Sequence, residues 1–430
     1  PADSREFIIG MNKGLVRRYG LIVKNEQGVY DTVRVYRSKK EEQPIPVIPR
    51  QQDITFDAVD TFVIGEEEKS GCCFYALMDL AEDASFVRVY IGPFMDINGD
   101  HHFQPRELYH QLVEHAGYIY SPTFTGGQYP DVVEKVILPS WKQFMDWQAK
   151  AINYAITEER YEVIFSHMHN IDAMGHQFWH WCKARKRNPS VDPAQYMGFL
   201  EQCYQDTDDY IGQFLPLLDD GWTIFLFSDH GFLTSDEEEP PVLGDPFGIN
   251  VPVMEALGYT VLKEDENGKK AIDWTKTRAL ATRGNHIWIN LKGRNPQGIV
   301  DPADRYALEE EIITALYAYR DPHNGKRVIS VAMHNKDAIL LGVSGPECGD
   351  VVYFTAEGYN KIHADSLSTQ IGYAGTSVSP IFIAAGPGIK ENFVTDRIIR
   401  QVDVAPTLAV LGGVRMPAQC EGAPVYQIFA

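Results

Sequence analysis

Two apolar runs, each ending in a cluster of acidic and imidazole side chains, constrain this chain more than any other feature. The first, Tyr161-Glu-Val-Ile-Phe165, is short, β-branched and aromatic, which predicts a buried strand. It leads into Ser166-His-Met-His-Asn-Ile-Asp-Ala-Met-Gly-His176, and Gln177–Cys182 carries no turn signal, so the spacing predicts a helix here. Asp172 and His176 stand four residues apart, and a helical turn sends both from one face. The second run, Trp222-Thr-Ile-Phe-Leu-Phe227, is followed directly by Ser228-Asp-His-Gly231. An Asp–His pair at the open end of a strand makes a poor core feature and a good ligand pair for a divalent cation. The competing reading of either cluster is a buried His paired with an Asp for structural reasons. Two such clusters in one α/β chain favour a two-metal site, which clamps the attacking and leaving oxygens of phosphoryl or sulfuryl transfer.

The 430 residues leave room for one large α/β domain plus an insertion, or for two or three smaller domains. A net charge of -20 argues against a nucleic-acid polymer as partner. An anionic small molecule stays open, because bound cations reverse the local field. No apolar run approaches about 18 residues, so no membrane span is expected. No signal peptide is visible, and the expected compartment is the cytoplasm. Six scattered cysteines, Cys72, Cys73, Cys182, Cys203, Cys348 and Cys420, form no Cys-x-x-Cys pair and read as reduced thiols. The vicinal Cys72-Cys73 is expected in a strand.

Residues 1–115 are rich in strand signals: Gly20–Lys24, Val33–Tyr36, Thr61–Ile64, Cys73–Leu77 and Val87–Ile91, with charged turns between them. They predict an antiparallel β-rich subdomain that caps or lids the rest. Pro44–Pro49 reads as an extended linker. Asp96–Glu107 has acidic or amide residues at calcium-loop positions. His101 stands where the sharp turn wants Gly, so a polar surface loop is the favoured reading. Helical periodicity marks 105–117, 139–157 and 194–217. The basic cluster Lys183–Arg187 and the acidic loop Asp236–Pro241 read as solvated surface. Asp301-Pro302 is a helix start, with a helix to about Arg320. Strands are expected near 328–333, 350–355 and 380–385, and a short helix at 403–411. Residues 116–430 therefore read as a metal-binding α/β core with a doubly wound, mostly parallel sheet, whose ligands sit at the carboxyl ends of strands.

Asp172-x-x-Gly-His176 and Ser228-Asp-His-Gly231 resemble the metal-binding motifs of the alkaline phosphatase superfamily, closest to the type I phosphodiesterase/nucleotide pyrophosphatase family. The resemblance runs from about Trp141 to the C-terminus. It includes Asp273–Arg278, Ile287–Arg294, Gly298–Val300, Gly372–Thr376, Ala385–Ile389 and Asp403–Thr407. It implies an alkaline-phosphatase-like fold and a metal-dependent hydrolase of small phosphoesters. The implied cofactors are two divalent ions, zinc first, with manganese or iron as the alternatives. One ion is expected on Asp172, His176 and His363, the other on Asp229 and His230. The family's Thr or Ser nucleophile and a further metal-binding Asp have no counterpart upstream of Asp172. This predicts a fragment or one chain of a larger enzyme, with a companion N-terminal segment that carries the nucleophile and the first strand of the sheet. Ser377 stands where the family has a metal-ligating His; His363, His169 or His167 are the candidate substitutes. Thr376, Ser377 and His169 are candidate substrate or supporting residues, and Phe178 and Trp179 are either base-stacking or core aromatics. Homo-oligomerisation stays open. The alternatives are sulfatase, phosphoglycerate-mutase-like or phosphonate-cleaving chemistry, or an inactive scaffold subunit.

Overall fold

The computed structural model describes residues 3–11, 14, 16–50, 54–64, 66–184, 191–231, 243, 251–266, 268–282, 285–356, 359 and 380–430. The chain divides into two compact units, Pro1–Ala184 with Ser190–Pro216, and Arg185–Pro189 with Leu217–Ala430.

The N-terminal unit opens with β1 (Arg5–Met11), β2 (Val16–Lys24), β3 (Tyr30–Tyr36) and β4 (Val47–Pro49), an antiparallel sheet in that order. A second antiparallel sheet contains β5 (Thr55–Ile64), β6 (Glu67–Leu80), β7 (Val87–Ile91) and β8 (Met95–Asp96), with β6 central. β6 is buried without a break from Gly71 to Met78, and period-two alternation explains why. Cys73, Tyr75 and Leu77 share a core with Val33, Val35 and Ile48 of the first sheet. Phe74, Ala76 and Met78 share another with the helical layer. That layer holds α1 (Glu107–Ala116), α2 (Pro130–Val132), a π-helical turn (Val133–Ile137), α3 (Leu138–Thr157), α4 (Asn170–Phe178) and α5 (Pro193–Gly212). Each face of β6 thus meets an apolar layer, which is why its sequence reads as a continuous hydrophobic run rather than an alternating one.

The C-terminal unit contains β9 (Ile224–Phe227), α6 (Pro252–Ala256), the hairpin β10 (Leu262–Glu264) and β11 (Lys270–Ile272), and β12 (Ala279–Thr282) and β13 (His286–Ile289). There follow α7 (Arg305–Ala318), β14 (Ile329–His334), β15 (Val351–Thr355), β16 (Phe382–Ala385) and α8 (Val404–Leu411). Asp301 caps the turn before α7, its side chain accepting from the Ala303 N–H at 3.0 Å. A four-stranded sheet runs β12-β13-β15-β14, and Ile312 and Leu316 of α7 are buried with its Ile287, Ile289, Ile329 and Val351. β16 pairs with β9, and Phe225, Phe382 and Ala384 pack on Ile389, Val425 and Ile428.

The expected strands and helices are largely present, but three expectations need correction. Among the described residues every ladder between strands is antiparallel, so the doubly wound parallel sheet is not observed; the protein is mixed α/β with several sheets. Two residues separate β5 from β6, five separate β10 from β11 and three separate β12 from β13, whereas a parallel pair needs a crossover of about a dozen residues or more. Tyr161–Phe165 is not a strand: it leaves the end of α3 in an irregular path, with Val163 81% and Phe165 77% exposed. An apolar run becomes a strand only where a ladder partner lies alongside. Pro44–Pro49 is not a linker, since its Val47–Pro49 is the edge strand β4 and Ile48 is fully buried; an edge is where a sheet tolerates proline. The helical layer packs on the second sheet within the N-terminal unit.

Asp96–Glu107 forms a polar connection from β8 through a 3-10 turn, Gly99–His102, into α1. None of the six cysteines is in a disulfide. Burial holds the thiols of Cys73 and Cys203 up at about 12, so neither is a ready nucleophile. No helix among the described residues is long and apolar enough to cross a membrane.

Candidate metal centre

α4 carries the first Asp/His cluster and is only nine residues long. Its stability comes from packing more than propensity: Gly175 sits inside it, and no side chain caps its first turn. Asn170, Met174 and Phe178, spaced by four, form the buried face with Gly175. Asp172 and His176 leave from the other side, with side chains 21% and 22% exposed. Asp172 falls in the first turn and His176 in the last, so each charge preference agrees with the helix dipole.

The Nε2 of His176 lies 3.0 Å from Oδ1 of Asp172. The other carboxylate oxygen, Oδ2, is 2.5 Å from Nε2 of His169, the residue just before the helix. Burial opposes ionisation of Asp172, but hydrogen bonds and positive charge from His176, then His169, outweigh it and hold the carboxyl down at about 2. The group is a carboxylate at neutral pH. Two ligands of one tetrahedral zinc ion lie roughly 3.3 Å apart, given metal–ligand distances of about 2.0 Å. The Oδ1–Nε2 separation is close to that, and oxygen with imidazole nitrogen is a common donor set for such an ion.

The connection that feeds α4 is tied to its neighbours. Gln148 of α3 donates Nε2–H to the His167 carbonyl at 3.1 Å and accepts from the Tyr210 hydroxyl, also at 3.1 Å. The His167 ring stands 5.3 Å from that of His169. Phe178 is fully buried among Trp181, Tyr196 and Phe199 and belongs to the core; Trp179 is partly exposed.

In the C-terminal unit the second cluster follows β9. The Ser228 N–H donates to the Ile381 carbonyl at 3.2 Å, extending the β9–β16 pairing by one bond. The Ser228 hydroxyl donates to the His230 carbonyl at 2.7 Å and folds the turn back. Nδ1 of His230 is 2.8 Å from the Gly231 carbonyl. A carbonyl only accepts, so Nδ1 carries the proton and the neutral ring keeps its lone pair on Nε2. That Nε2 lies 3.8 Å from Oδ1 of Asp229. The Asp229 carbonyl accepts from Nε2 of Gln401, and its side chain is exposed.

His169, Asp172 and His176 are therefore brought together on one side of α4, and Asp229 and His230 adjoin after β9. His363, Thr376 and Ser377 lie outside the described residues, as do Arg185–Arg187 and Asp236–Pro241. Asn170 was not singled out by its residue type. Its place on the apolar stripe with Met174 and Phe178 was the signal that it is buried.

The chain is thus a mixed α/β protein whose two units each carry an adjoining carboxylate–imidazole pair. Residues 33–376 match the family model described as type I phosphodiesterase / nucleotide pyrophosphatase, and the chain belongs to that family. It is, by that membership, a hydrolase of the phosphodiesterase/nucleotide pyrophosphatase type. The match begins well before Trp141, where the motif resemblance starts, and so takes in most of the β-rich region. No curated protein and no solved structure matches the chain.

Proposed function

We propose that this chain works as a divalent-metal-dependent hydrolase of small phosphoesters, with Asp172 and His176 as one ligand pair and Asp229 and His230 as another. The observation that carries the reading is the ionised Asp172 carboxylate standing 3.0 Å from a ring nitrogen on the same helix face. Its oxygen and nitrogen donors suit zinc, and manganese or iron are the alternatives. A bound divalent cation supplies Lewis acidity toward a phosphoryl oxygen and lowers the pKa of a bound oxygen nucleophile. The chain's own residues prepare the place. Asp172 presents Oδ1 while His169 occupies Oδ2, so the carboxylate has one orientation. His230 presents Nε2 because the Gly231 carbonyl holds the proton on Nδ1. His363, Thr376 and Ser377 enter this reading as a third ligand of the first pair and as substrate-facing groups.

The test is metal stoichiometry of the purified protein after chelation and reloading with zinc, manganese or iron, followed by hydrolysis of an aryl phosphodiester. The expected result is about two ions per chain. Asp172→Ala with His176→Ala, and Asp229→Ala with His230→Ala, should each remove about one. A protein that keeps no transition metal, or whose metal content ignores both double substitutions, overturns the proposal and favours a scaffold role.

A further inference from the structure

Few polar contacts define how α4 is turned about its axis; near its C-terminal end Gln177 donates Nε2–H to the Phe124 carbonyl at 2.7 Å. The helix is short, and three of its four buried residues, Met174, Gly175 and Phe178, carry no hydrogen-bonding side-chain group. Apolar contacts are non-directional, so they hold a helix down without defining how far it turns about its axis. Asn170, the remaining buried residue, is different. It is buried to 1% exposure, and its Nδ2–H donates to Oγ1 of Thr207 on α5 at 2.7 Å. That hydroxyl in turn donates to the Cys203 carbonyl at 2.7 Å, which fixes the Thr207 rotamer and aims its lone pair at Asn170. The same Nδ2 lies 3.6 Å from both Met145 Sδ of α3 and Cys203 Sγ of α5. Asn170 is two residues before Asp172 and six before His176, and so points about 160° away from the first and about 120° away from the second around the helix.

We infer that Asn170 is a positioning residue: the Asn170–Thr207 hydrogen bond is a latch that sets the rotation of α4 and so the direction in which Asp172 and His176 present their donor atoms. A rotation of one residue's worth, about 100°, would turn the pair out of register, and even a small one moves side-chain tips that lie several ångströms from the axis. The inference rests on the metal-binding reading above, and it goes beyond that reading in naming a residue that touches neither metal nor substrate.

Zinc binding to the full chain, measured by calorimetry, tests it. Asn170→Ala and Thr207→Val should each weaken binding by about tenfold or more, the size of effect that orienting partners of metal ligands have. The double substitution should be no weaker than the worse single one, because one bond is being removed twice. Thr207→Ser keeps the hydroxyl and should bind zinc as the wild type does. Val136→Ala, a cavity in the same helical core but on the π-helical turn rather than on α4 or α5, should lower the melting temperature and leave zinc affinity unchanged. If Asn170→Ala fails to fold, Thr207→Val carries the test alone. A folded Asn170→Ala or Thr207→Val that binds zinc within about twofold of wild type overturns the latch. A wild-type protein that binds no zinc overturns the metal reading instead, so the two failures are distinguishable.

Discussion

Replacing His334 with Gln should remove a contribution to stability that is full in mildly acidic solution and fades as the solution becomes alkaline. His334 ends β14 and is buried between two carboxylates of α7. Its Nδ1 is 2.5 Å from Oε2 of Glu309 and its Nε2 is 2.8 Å from Oε1 of Glu310. Carboxylates accept, so both ring nitrogens donate, and the ring is an imidazolium. It stacks on Tyr306 with centroids 4.7 Å apart, Arg305 holds the other oxygen of Glu309 at 2.7 Å, and Lys336 sits over the Tyr306 ring. Burial disfavours the charge, but the hydrogen bonds and charges of Glu310 and Glu309 outweigh it, and the pKa is raised. A raised folded pKa means that the folded chain holds a proton the unfolded chain has released. The stabilisation is complete below about 6.5, the unfolded value, and is lost as pH rises through the folded value. Each pH unit between those two values is worth about 1.4 kcal/mol. One buried charge-assisted bond, that to Glu309, is worth about 1.5–3 kcal/mol net; the bond to exposed Glu310 receives no weight. Urea unfolding of wild type and His334→Gln should therefore differ by about 2 kcal/mol near about pH 6 and by clearly less near about pH 9. A difference that stays constant or grows toward alkaline pH refutes the imidazolium clasp.

Two further substitutions probe the C-terminal unit. Gly298→Ala should cost about 3 kcal/mol or more, read as a lower urea midpoint, because its Cβ would fall 1.9 Å from the Leu291 carbonyl oxygen, a backbone atom held by the Leu291–Val300 bridge. Asp350→Ala should cost about 3–5 kcal/mol. The buried Asp350 takes both Nη atoms of Arg294, at 2.7 and 2.6 Å, and the Ile289 N–H at 2.6 Å; its loss removes all three bonds and leaves Arg294 Nη2 only the Ile289 carbonyl. Equal stability of that variant and wild type would show that Arg294 finds water instead.

How much of this was legible in the chain alone depended on the range of the interaction concerned. The Asp172–His176 pairing is a four-residue spacing on a helix, and the spacing suffices to predict it. The cap of Asp301 before α7 is a two-residue contact between side chain and backbone and was equally readable. The amphipathic runs that became α3 and α5, and the β-branched runs that became β2, β3 and β7, needed only periodicity. The motif order that led to the phosphodiesterase family was likewise present in the string of residues.

Pairing between distant segments was not. Trp222–Phe227 and Tyr161–Phe165 are alike in composition, yet one became β9 against β16 and the other became an irregular, exposed path. The difference is a ladder partner that lies more than a hundred residues away for β9, and no local preference can supply it. The same holds for the sheet directions, for Glu309 with His334 and Arg294 with Asp350, and for Asn170 with Thr207. Those contacts join atoms whose separation is set by how whole layers pack, whereas a helical turn places its own neighbours by geometry that every helix shares.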